Sequence, residues 1–181
     1  MEKNVCVFLG SREGNDPVFR KSVEAFAAAL VRRDLGLVFG GSDVGLMKVL
    51  SETVLNLGGR AIGVFPDGVF ARARPSRNLT ELHRVSSMHE RKACMAELSH
   101  MFVALPGGLG TLEEVFEAIS WTQIGVHAKP CGFLNVSGYY DQVLGFLDHA
   151  VHSGFLDKPQ RRLIHSAPHA DELLALLIDR N

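Results

Sequence analysis

The residues best equipped for chemistry lie in two short runs. The first is Pro106-Gly107-Gly108-Leu109-Gly110-Thr111-Leu112-Glu113-Glu114, which follows the apolar run Met101 to Leu105. Glycines directly after a buried strand let the backbone turn tightly and approach a ligand with no Cβ in the way. The next helix start presents unpaired N–H groups and the positive end of its dipole. Together these suit a phosphate or another anion, and Thr111 adds a hydroxyl. A local role competes: Thr111-x-x-Glu114 fits a capping box, in which each side chain bonds the other residue's backbone N–H. The two roles are compatible for Thr111. With a helix expected from about Leu112, Glu113 and Glu114 fall in its first turn, where the positive end favours their ionised form. An ionised carboxylate beside a bound sugar phosphate could stabilise a cationic sugar or orient water.

The second run is Met88-His89-Glu90-Arg91-Lys92. Met88, Met95 and Leu98 share one face of an expected helix, and Arg91 falls on that face. A charge there is expensive unless paired. Its partner would be a carboxylate or a phosphate, both of which suit guanidinium geometry; otherwise the side chain snorkels to the helix start. Lys92 is less constrained and could be a surface residue.

Two further glycine turns join a strand to a helix: Gly10-Ser11, and Gly40-Gly41-Ser42-Asp43-Val44-Gly45. The second could admit a nucleotide or be purely structural. It is neither the G-x-G-x-x-G dinucleotide pattern nor a Walker lysine pattern. Arg72, Arg74 and Arg77 cluster in a segment without clear period, which reads as a solvated loop or as a lid facing phosphate or substrate. The eight histidines form no metal-ligand pattern, and no G-x-S-x-G elbow occurs.

Behind these residues stands a strand–helix alternation. Strands are expected at Val5–Leu9, Leu35–Phe39, Ala61–Phe65, Thr80–Val85, Met101–Leu105, Cys131–Leu134 and Leu163–Ile164. Helices are expected at about 17–33 with Asp16 as cap, 44–57, 87–98 with Ser87 as cap, 112–124, 139–152 and 171–178. Continuous apolar strands joined by crossover helices imply an α/β fold: a Rossmann-like, doubly wound parallel sheet of about seven strands with helices on both faces. Such a sheet binds its ligand at the carboxyl ends of its strands, where the three glycine turns fall.

The length of 181 residues suits one nucleotide-binding domain spanning 1–181. A net charge of -1 offers no electrostatic case for nucleic acid or a membrane surface. The three cysteines are far apart and odd in number, against a disulfide framework. Val5–Leu9 is too short for a signal-peptide core, and no run approaches the roughly 20 apolar residues of a membrane span. A cytoplasmic address is the expectation.

The two main runs together resemble the Lonely Guy family, cytokinin riboside 5′-monophosphate phosphoribohydrolases often mislabelled lysine decarboxylases. The resemblance extends to Phe8-Leu9-Gly10-Ser11, Gly45-Leu46-Met47, Trp121, Lys129-Pro130 and Gly138-Tyr139-Tyr140. It implies a Rossmann-like fold, a homodimer, and hydrolysis of an adenine nucleotide to free base and ribose 5-phosphate without metal or cofactor. Arg91 and Glu114 match the pair regarded as catalytic. Lys92 matches a nucleotide-site residue, and Gly108 to Glu114 the phosphate and ribose loop. Ser120 stands where many members have a nucleotide-contacting threonine. Gly10, Ser11, Gly41, Gly45, Met88, Pro106, Gly107, Leu109, Gly110, Thr111, Leu112 and Glu113 complete the expected substrate-binding set. Many members carry a glutamate where this chain has Ala73, and a third glycine where it has Ser42. Two other readings stand beside hydrolysis: a module that holds a nucleotide without turnover, and a pyridoxal-phosphate decarboxylase with Lys92 as its Schiff-base lysine.

Overall fold

The computed structural model describes residues 3–69 and 74–178. In chain order the elements are β1 (Asn4–Phe8), α1 (Pro17–Arg32), β2 (Gly36–Phe39), α2 (Gly45–Asn56), β3 (Ala61–Pro66) and β4 (Glu81–Val85). Then come α3 (Met88–Glu97), β5 (Met101–Ala104), α4 (Leu109–Gln123), β6 (Cys131–Leu134), α5 (Asp141–His152), α6 (Lys158–Arg161), β7 (Ile164–Ala167) and α7 (Ala170–Ile178). The strands form a seven-stranded sheet in the order β4-β3-β2-β1-β5-β6-β7, with every pairing parallel. The chain winds outward from β1 to one edge, then returns to β5 and winds to the other. The reversal lies between β1 and β5, where an open α/β sheet leaves a crevice.

Strand alternation fills both faces. Val5, Val7, Met101 and Val103 pack with α1, α2 and α7 in one core. Cys6, Phe8, Phe102 and Ala104 pack with α3, α4 and α5 in the other. Only β4, at the edge, is mostly exposed, with Val85 its one buried residue. The expected caps are present: Val18 N–H donates to Asp16 Oδ1 at 2.8 Å, and Glu90 N–H to Ser87 Oγ at 3.1 Å.

One expected helix start is wrong. α4 begins at Leu109, three residues before the expected Leu112, with Gly108 as N-cap and no side-chain cap bond. Gly110, read as loop from sequence, lies within the helix, whereas Gly108 keeps a non-helical backbone as the cap. The capping box of Thr111 and Glu114 is therefore absent. Thr111 is buried inside the first turn, its hydroxyl so close to Gly107 that a Cβ there would lie 2.1 Å from it. Glu113 and Glu114 move into the second turn, and the first turn holds no acidic residue. Two short elements also escaped the sequence reading: α6, and a single 3-10 turn at Val136–Gly138.

The three glycine turns meet at the reversal. Gly10 N–H donates to Pro106 O at 3.0 Å. Gly45 has a φ of +50°, and a Cβ there would lie 2.4 Å from the carbonyl carbon and oxygen of Ser11. Gly45→Ala should therefore cost about 1–3 kcal/mol of stability, read as a lower urea midpoint, because the obstructing atoms are backbone.

Candidate active site

A crevice of about 540 Å³ opens at the reversal, between the β1–α1 turn and the β5–α4 turn. Six expected site residues line it: Gly10, Ser11, Pro106, Gly107, Gly108 and Leu109. Arg12, Glu13, Gly14, Phe19, Leu46 and Tyr139, absent from the expected set, complete the wall. The uncapped start of α4 lies in this lining, so its orphan N–H groups are available to an anion.

Outside the crevice lining, between α3 and α4, lies the charged pair. Arg91 is 6% exposed although it belongs to an otherwise ordinary three-turn helix. Its Nη1 donates to Glu114 Oε1 at 2.6 Å, and its Nε donates to Val64 O at 3.2 Å. Gly40 makes room for it, since a Cβ there would lie 2.0 Å from Nη2. The apolar stripe thus buries Arg91, and its partner is a carboxylate. Burial pushes the Glu114 carboxyl above its ordinary pKa, against the opposing pull of the Arg91 guanidinium. That corrects the expectation that the helix end favours ionisation: Glu114 sits too far along α4, and too deep, for the terminus to dominate.

Lys92, the next residue, has a side chain only 12% exposed. Its Nζ donates to Glu113 Oε1 at 2.6 Å and to Glu117 Oε1 at 3.0 Å. Burial lowers its pKa, but these two carboxylates outweigh burial and the net shift is upward. An ammonium held this way is ill suited to Schiff-base formation, which needs the free amine. Glu117 was missed from sequence, although its position three residues after Glu114 and four after Glu113 puts it on the same helix face.

Other expected residues lie apart from the crevice lining. Leu112 packs into the core formed with α3, α4 and α5. Ser120 is exposed near the far end of α4, Gly110 is exposed in its first turn, and Met88 is half-buried at the start of α3. Gly41 has a φ of +72° and accepts from Ser76 N–H at 2.7 Å. Asp43 N–H donates to Arg74 O at 3.0 Å, and Ser42 pairs with Pro75. The arginine-rich segment is thus fastened to the second glycine turn, whereas Arg72 and Ala73 fall outside the described residues. Among the described residues no group of three metal-ligating side chains comes together, and no helix is long and apolar enough to cross a membrane.

These electrostatics are testable without any ligand. In a carboxyl ¹³C NMR titration, Glu114 should titrate above an exposed glutamate. Glu113→Gln removes a negative neighbour and should lower the Glu114 pKa; Lys92→Met removes a positive one and should raise it. A Glu114 signal at or below that of an exposed glutamate contradicts the burial argument.

Comparison with known proteins supplies the family. A family model described as "Possible lysine decarboxylase" matches residues 47–177. The probable cytokinin riboside 5′-monophosphate phosphoribohydrolase LOGL5 of Oryza sativa subsp. japonica is 48% identical over 175 residues, 97% of this chain and 71% of the relative. The cytokinin riboside 5′-monophosphate phosphoribohydrolase LOG1 of Arabidopsis thaliana is 45% identical over 177 residues, 98% of this chain and 83% of its own length. Among solved structures, the molybdenum cofactor binding protein of Rippkaea orientalis superposes with a TM-score of 0.73 at 20% identity, covering 99% of this chain and 98% of that one. At that identity the likeness speaks to the fold alone, which is the parallel α/β arrangement described above. Near-full-length identity to the plant enzymes carries more: this chain belongs to the cytokinin riboside 5′-monophosphate phosphoribohydrolase family.

Proposed function

We propose that the chain hydrolyses the N-glycosidic bond of a cytokinin riboside 5′-monophosphate, an N6-substituted adenine nucleotide, to free base and ribose 5-phosphate. The observation that carries this reading is the largely buried Glu114 carboxylate, held by Arg91 at 2.6 Å in the turn after the uncapped start of α4. In this reading the phosphate enters the crevice and completes the cap of α4. Binding energy from that end positions the ribose. As the C1′–N9 bond breaks, its electron pair leaves with the base and positive charge builds on the ribose. Ionised Glu114 stabilises that charge and takes a proton from water as the water oxygen bonds to C1′. The departing base gains a proton, so nucleotide and water balance base and ribose 5-phosphate. Arg91 keeps Glu114 oriented and opposes its protonation.

One observation favours a second reading. Neither Arg91 nor Glu114 lines the crevice, and a module that only holds a nucleotide would need the crevice alone. A single assay separates the two. With N6-isopentenyl-AMP the protein should release ribose 5-phosphate, and Glu114→Gln should lower kcat by about 10²–10⁴. Recovery of intact bound nucleotide after long incubation points instead to a binding module.

A homodimer, a single domain and a cytosolic address belong to the same proposal. All three cysteines are unpaired, which suits a reducing compartment. Met95 is 1% exposed and belongs to the core. Ile124 and Val126, 73% and 64% exposed beside half-buried Trp121, are among the exposed large apolar residues, and they form the patch we assign to the subunit contact. Light scattering should therefore give twice the chain mass, and Ile124→Glu with Val126→Lys should shift it toward the monomer.

A further inference from the structure

The adjacent tyrosines after β6 both reach into the turn that opens α4. Tyr140 is 1% exposed, and its hydroxyl donates to Leu105 O at 2.6 Å. Tyr139 is 42% exposed at the crevice wall, and its hydroxyl donates to Gly107 O at 2.6 Å. Between them, Pro106 O accepts from Gly10 N–H at 3.0 Å. Three consecutive carbonyls of the turn are therefore tied to three different groups. In a trans peptide the C=O and the following N–H point in opposite directions. Tethering Gly107 O therefore sets the direction of the Gly108 N–H, the first donor of an otherwise uncapped helix start. Without a Cβ, Gly107 and Gly108 gain no such restraint from their own side chains. The Tyr139 ring is itself steadied edge-on by Phe19, at 5.3 Å between ring centres, and by Tyr140 at 4.9 Å.

We propose that Tyr139 is a positioning residue for phosphate recognition: its hydroxyl orients the glycine turn so that the N–H groups at the start of α4 meet the phosphate of the nucleotide. The proposal rests on the crevice being the phosphate site in the hydrolytic reading above. It assigns the two tyrosines different work. Tyr140 secures the end of β5 from within the core, whereas Tyr139 shapes the anion-binding turn from the crevice wall.

The test is Tyr139→Phe, which keeps the ring and its two aromatic contacts and removes one hydroxyl. Calorimetry with ribose 5-phosphate, and with adenosine as a phosphate-free probe, reads binding independently of turnover. Ribose 5-phosphate affinity should fall about tenfold, the scale of one neutral hydrogen bond, with adenosine affinity and the urea midpoint unchanged. In turnover the KM for N6-isopentenyl-AMP should rise by a similar factor, with kcat within about twofold of wild type. Tyr140→Phe should do the reverse, lowering the urea midpoint and sparing ribose 5-phosphate affinity. Equal affinities for wild type and Tyr139→Phe, or equal losses for both probes, overturn the proposal. If the wild-type protein binds ribose 5-phosphate through Tyr139 yet hydrolyses nothing, the hydrolytic reading fails and the positioning role stands.

Discussion

The site depends on a charge that ought to be costly. Arg91 and Glu114 are withdrawn from water on two different helices, and neither would be tolerated there alone. Each is stable in place because the other is 2.6 Å away, and the guanidinium has a second acceptor in Val64 O. This dependence propagates outward. A larger residue at Gly40 would displace the guanidinium, because Arg91 Nη2 occupies the space a Cβ would need. α3 must pack with its charged residue inward, which its apolar stripe enforces through Met95 and Ala96. α4 must present Glu114 at the depth where Arg91 ends.

The neighbouring lysine shows why depth matters as much as residue type. Lys92 also meets carboxylates, but Glu113 is half exposed and Glu117 less so, and the lysine remains firmly protonated. Glu114, whose side chain is 13% exposed, experiences the opposite balance, and burial raises its pKa. On one helix, Glu113 thus stays at the surface while its neighbour Glu114 is withdrawn from water.

Much of this was legible from sequence because it rests on local periodicity. The Arg91 position on an apolar stripe pointed to a paired, buried charge or a snorkelling one, and the structure shows the first; Asp16 and Ser87 announced their helices correctly. Six of the seven strands begin and end within one residue of their expected bounds, whereas β7 runs on to Ala167, three residues past its expected end. What failed did so for identifiable reasons. Gly110 carries a loop signal that the fold overrides, so α4 starts three residues before the expected Leu112 and the Thr111–Glu114 capping box does not form. The crevice wall is built from Phe19, Leu46 and Tyr139, which are far apart in sequence and converge only because the sheet reverses between β1 and β5. No spacing rule reports that convergence. The carboxylate partner of Arg91 was one of two options open to a guanidinium, and only tertiary packing chose between them.

The bond between Gly10 and Pro106 crosses the sheet at its reversal, and the ion pair ties α3 to α4 a short way off. Together they rivet the two wings of the fold at the one seam where an α/β sheet might otherwise hinge. The crevice there is framed by turns bonded to one another across the sheet. A molecule entering it meets both halves of the fold at once, so its fit is decided jointly by the β1–α1 and β5–α4 turns.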